Sequence, residues 1–142
     1  MTLYAAAVSA HVVIAIVGLG VIGAVPIGAA TTRRAGLGLV ALQAWVKPLL
    51  LCTRISLLLL FLTGALLDFV AQGAFHDTVW FRLSVALLVV AGIGQGLARG
   101  TLRRGLAGQI EEARALRRIQ RLGFTSAAAV ACIAVLMETK PF

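Results

Sequence analysis

The first 32 residues, Met1 to Thr32, hold no Asp, Glu, Lys or Arg. A helix of roughly 20 apolar residues already crosses a hydrocarbon core of about 30 Å, so this stretch commits the chain to a membrane before anything else is read. Inside it lies one ionisable side chain, His11, and an ionisable group within a span marks a candidate functional site. The run is too long for a signal h-region and no positive residue precedes it, so it reads as a span that stays in the mature protein.

Three further apolar stretches follow, and the expected spans are 3–29, 47–70, 78–99 and 121–139. The chain is 61% hydrophobic and 13% charged, against about 45–50% and about 25% in soluble domains. One integral membrane domain, residues 1–142, is the natural reading. Unpaired backbone groups cannot face lipid and no barrel-like alternation is present, so the spans are helices. The expected fold is all-α: a four-helix transmembrane bundle.

Charge sets its orientation. The first connection carries Arg33, Arg34 and Lys47, and the third carries Arg99, Arg103, Arg104, Arg114, Arg117, Arg118 and Arg121. The second offers Asp68, His76 and Asp77 with only Arg82. With four spans the two basic connections share a side, and the positive-inside rule makes that side cytoplasmic, with both termini and the His76 loop outside. A net charge of +8 concentrated this way fits topology and anionic lipid and argues against a nucleic-acid surface. In the third connection Leu106, Ile110, Ala113, Leu116 and Ile119 recur at helical spacing, which predicts a cytoplasmic amphipathic helical extension before helix four.

Small residues predict where helices meet. Gly92, Gly96 and Gly100, like Gly20, Ala24 and Gly28, form small-xxx-small ridges for packing inside the bundle or across a dimer. Pro26 and Pro48 are expected near the cytoplasmic ends of helices one and two. Cys52 and Cys132 are far apart, form no metal spacing, and read as small buried hydrophobes. Gly18-Leu-Gly-Val-Ile-Gly23 matches G-x-G-x-x-G, but it lies mid-span, where no strand precedes it, and carries no nucleotide-binding meaning.

His11 is the main candidate for chemistry. It lies about two turns in from the outer end of helix one, on a face with Ala15, Gly18 and Ile22, and an imidazole there can ligate haem iron or copper, relay a proton, or hydrogen-bond a neighbouring helix. Asp68, Trp80, Arg82, Glu138 and Lys140 are candidate companions on the outer side. Arg54 lies over a turn inside helix two on the cytoplasmic side, where it snorkels or joins Gln95 and Cys52 in a second polar cluster. His76 reads as a solvated loop histidine.

Four short segments carry a family resemblance: His11 followed by Val-Val-Ile-Ala-Ile-Val-Gly18; Leu62-Thr-Gly-Ala-Leu-Leu67; Trp80-Phe-Arg-Leu-Ser84; and Thr139-Lys-Pro-Phe142. The chain resembles small bacterial four-helix membrane proteins that include the membrane-type protoporphyrinogen oxidases, the copper-resistance D-like proteins and an uncharacterised branch beside them. The resemblance implies a multi-pass protein of the bacterial inner membrane with a haem- or porphyrin-linked role and His11 as an axial ligand. The oxidases of that family carry a lysine early in helix three, where this chain has Arg82 and Ser84, so the likeness is to the uncharacterised branch.

The leading expectation is therefore a redox protein holding haem b or a porphyrin through His11, with Arg54 or Arg82 pairing propionates. One alternative is copper transport through His11, Met137 and Cys132 as soft ligands. Another is a non-catalytic accessory subunit, in a homodimer or a larger membrane complex.

Overall fold

The computed structural model describes residues 3–139, and Lys140 and most of the Thr139 to Phe142 segment lie outside them. Four helices account for nearly all of the chain: α1 (Leu3–Arg34), α2 (Leu39–Val70), α3 (Val79–Leu106) and α4 (Glu112–Thr139). Short connections, 35–38, 71–78 and 107–111, make consecutive helices antiparallel neighbours. α1 packs on α2 and α4, and α3 packs on α4 and, least extensively, on α2, which closes a ring of four.

Only 22–33% of the most apolar stretch of each helix is buried inside the bundle. The remainder presents Val13, Ile16, Val40, Phe69, Val135 and many like them outward. An apolar surface of that extent is solvated by lipid, not water. The chain is a multi-pass membrane protein with a four-helix bundle fold.

The helices overrun the expected spans at the basic end, where α1 continues to Arg34, α2 starts at Leu39, α3 continues to Leu106 and α4 starts at Glu112. Hydropathy marks the hydrocarbon boundary, whereas a helix ends only where its backbone turns. Gly36 at φ +66° and Gly108 at φ +70° supply left-handed residues after α1 and α3. The N–H of the following residue reaches back in each case, Leu37 to Thr32 O at 3.0 Å and Gln109 to Arg104 O at 3.0 Å, satisfying carbonyls the helix would leave open. The amphipathic extension is thus divided: Ala113, Leu116 and Ile119 belong to α4, while Leu106 closes α3 and Ile110 lies in the turn.

Packing also corrects the glycine register. At Gly92, Gly96 and Gly100 a Cβ would meet nothing within 4 Å, so that ridge makes no close helix contact within the bundle. α3 buries instead the face of Ala91, Gly94, Gln95 and Ala98, with Gly94 directly against the Ser126 hydroxyl of α4. On α1, Gly28 does serve as expected: the Trp45 ring of α2 fills the place of its missing side chain. Pro26 and Pro48 lie within their helices, and a Cβ on Gly123 would stand 2.8 Å from Pro26. Cys52 and Cys132 are free and exposed on the bundle surface, not buried; lipid is as apolar as a core, so a small hydrophobe has no reason to turn inward.

The core is densest toward the basic end. Val25, Ala29, Leu42, Val46, Ala98 and Ile119 form a fully buried cluster there, and a smaller one around Ile22, Ala91 and Val130 continues it. Beyond that second cluster the helices enclose open space, at the end that carries His11.

Candidate functional site

His11 is 7% exposed, on the buried face of α1 that also carries Gly18 and Ile22. Across the α1–α2 seam its Nδ1 lies 2.7 Å from Thr63 Oγ1. The Thr63 Oγ1 also lies 2.7 Å from Leu59 O, the carbonyl one turn back; with the hydroxyl proton on that carbonyl, the oxygen accepts from Nδ1–H of the imidazole and Nε2 keeps its lone pair. An N–H held by a neighbouring oxygen while the other nitrogen stays free is how proteins fix a ligating histidine.

That imidazole stands in the wall of a cavity of about 440 Å³ lined by all four helices. Ala15 and Gly64 flank the histidine, Phe81 and Ser84 come from α3, and Met137 comes from α4. The walls are almost entirely apolar. Ser84 donates its hydroxyl to Trp80 O at 2.8 Å, which leaves His11 and Asp68 as the polar groups with capacity for a ligand. A mostly apolar, concave, preformed site with a few polar groups is what a small-molecule or cofactor site requires.

The loop 71–78 closes this end of the bundle through Asp68. Its Oδ1 accepts from the backbone N–H of Phe75 at 2.9 Å and of His76 at 3.1 Å. The His76 ring then bridges Asp68 and Asp77, each at 3.4 Å. Arg82 pairs with Asp77 at 2.9 Å and donates Nε to His76 O at 3.0 Å. Trp80 is buried, with its ring 5.7 Å from Phe75 and 6.0 Å from Phe81, so it is a packed wedge under the loop.

The expected site residues are thus dispersed. Met137 joins His11 in one cavity, whereas Cys132 does not line it. Arg82 faces the loop carboxylate and not the cavity. Arg54 lines a different cavity, between α2 and α3 with Gln95 and Arg99, without Cys52. Glu138 lies exposed near the end of α4. Among the described residues no group of three or more His, Cys, Asp and Glu converges to hold a metal.

No protein-family model, curated protein or solved structure matches the chain. The site must be judged on its own chemistry. Its free imidazole nitrogen and apolar walls suit axial ligation and the faces of a porphyrin; its lining offers no cation for propionates, since Arg54 is elsewhere and Arg82 is engaged by Asp77. Thr63 is the functional residue that sequence reasoning passed over. Its signal was the Thr63-Gly64 pair, small and polar, inside an otherwise apolar run.

Proposed function

We propose that this chain is a bacterial inner-membrane protein that binds haem b or a related porphyrin in the outer half of its bundle, with His11 as the residue that would hold the iron. The observation that carries this reading is a buried His11, its Nδ1 2.7 Å from Thr63 Oγ1, in the wall of an apolar cavity. Met137 lines the same cavity from α4, the other helix packed on α1, and would be available as a second ligand to the iron. Haem held there would supply one-electron redox chemistry. The protein's own contributions are ligation, a dry apolar enclosure, and the Thr63 acceptor that orients the ring. Arg82, at the His76 loop beside this end of the bundle, would have to exchange Asp77 to pair a propionate.

A copper site is the second reading, favoured by the same pairing of His11 and Met137 and weakened by the distant Cys132. In either case the charge distribution supports an orientation with the basic connections in the cytoplasm.

Haemin titration of the purified protein tests the proposal. The chain has two tryptophans, and Trp45→Phe leaves Trp80, beside the cavity-lining Phe81, as the sole reporter. Saturable one-to-one quenching is expected, weakened roughly tenfold or more by His11→Ala and within roughly 10–100-fold by Thr63→Val. Equal quenching in the parent and His11→Ala would overturn ligation by His11. One equivalent of Cu(I) retained without any haemin response would move the site to the metal reading.

A further inference from the structure

We infer that the seam between α2 and α3 at the basic end binds the phosphate headgroup of an anionic phospholipid, independently of what occupies the His11 cavity. This seam is the least packed of the four. Two cavities lie along it, of about 290 Å³ and 530 Å³, and both are bordered by Leu50 and Arg99, so they form one groove. Arg54 and Arg99 face its inner part, and Lys47 and Arg103 its outer part.

No carboxylate answers these four cations. The chain has five acidic residues. Asp68 and Asp77 serve the loop at the opposite end, Glu111 pairs with Arg114, Glu112 accepts from the Leu39 N–H, and Glu138 lies near the far end of α4. Repulsion among four uncompensated charges at a membrane boundary is relieved by an anion from outside the protein.

Gln95 supplies an independent indication. It lines the inner cavity beside Arg54 and is only 6% exposed, yet neither Nε2 nor Oε1 of its amide has a hydrogen-bond partner. The remaining buried side-chain atom in that condition among the described residues is Thr53 Oγ1, adjacent to Arg54. Buried polar groups are almost always satisfied. A phosphate or glycerol-ester oxygen in the groove would pair with the guanidinium groups, and a turn of the Gln95 side chain toward the cavity it lines would bring its amide to the same oxygen.

The form of the groove selects a lipid over a soluble phosphate. Gly92 and Gly96 line its inner cavity, and no atom occupies the space a side chain would take on either. The exposed Leu51 lines its outer cavity. The result is an apolar strip on the lipid-facing surface beside the cations, along which an acyl chain can lie and which an inorganic anion would not use. Basic pockets between transmembrane helices on the cytoplasmic side are suited to this class of headgroup.

The test is native mass spectrometry of the full chain, released from nanodiscs of equal phosphatidylglycerol and phosphatidylcholine, counting retained lipid. Preferential retention of phosphatidylglycerol is expected, falling about fivefold for each charge removed in Arg54→Gln and Arg99→Gln. Gly96→Leu should displace the lipid without changing charge, and Arg54→Lys should retain much of it. Millimolar inorganic phosphate should not compete. The pair Arg117→Gln and Arg118→Gln, on the exposed side of α4, removes the same charge outside the groove and should leave retention unchanged. An equal loss from that pair would reduce the effect to general surface charge and overturn the site. So would competition by free phosphate, or a wild type that holds no phosphatidylglycerol and runs as a dimer dissociated by Gly96→Leu.

Discussion

His11 and Thr63 make one unit although 52 positions separate them in the chain. The histidine is legible in the sequence because an ionisable group in an apolar run has few explanations. Its partner is not, because hydroxyl residues in helices commonly bond back to the carbonyl four residues earlier, as Thr31, Thr101 and Thr125 do here. Thr63 makes that bond and, in addition, uses its acceptor for a neighbouring helix. Gly28 is a second residue whose role depends on an unseen neighbour. With the Trp45 ring occupying its side-chain space, Gly28→Ala is expected to destabilise the bundle by about 1–3 kcal/mol through overpacking. Gly20, with nothing within 4 Å, is the control: Gly20→Ala should leave stability unchanged or slightly raised, as read from thermal unfolding in detergent. Arg54 reads in the sequence both as a neighbour of Gln95 and as a partner for propionates; the structure puts it beside Gln95 and away from the His11 cavity.

At the scale of elements, the helices share their terminal groups. α2 begins at Gly38 without a side-chain cap of its own, and the Leu39 N–H is taken by the Glu112 carboxylate at the start of α4. One acid thus serves the positive ends of two helices. Glu112→Ala is expected to cost about 1–2 kcal/mol, in the range of a lost cap, and Glu112→Gln should recover part of it; urea unfolding followed by circular dichroism would measure both. A Cβ on Gly38 would stand 2.5 Å from Glu112 Oε1, so a side chain there would push the carboxylate off the Leu39 N–H. The number of helices and their order were readable from hydropathy alone. Their ends were not, because the turn geometry at Gly36 and Gly108 lies outside the apolar stretches. Nor was the buried face of α3: Gly92, Gly96 and Gly100 have the spacing of a packing ridge, but Gly94 on the adjacent face makes the close approach to α4.

As a whole molecule, the bundle has two unlike ends. One is tightly packed, rich in arginine and split by a cationic seam; the other is roofed by a loop of Asp68, His76, Asp77 and Arg82 over an apolar cavity. The charge asymmetry predicts the topology directly. In a background with Cys52→Ser and Cys132→Ser, Ala74→Cys should react with a membrane-impermeant maleimide added to intact cells, and Ala107→Cys only after the membrane is opened. The reverse pattern would invert the orientation and place the His11 cavity on the cytoplasmic side.

The central claim is that His11 presents a free Nε2 to a bound porphyrin, and an absorption spectrum addresses it most directly. Protein purified in detergent from haem-replete cells should show a Soret band that shifts on reduction with dithionite, and His11→Ala, folded by circular dichroism, should lack it. A colourless wild type, or a band that survives intact in His11→Ala, would contradict the account.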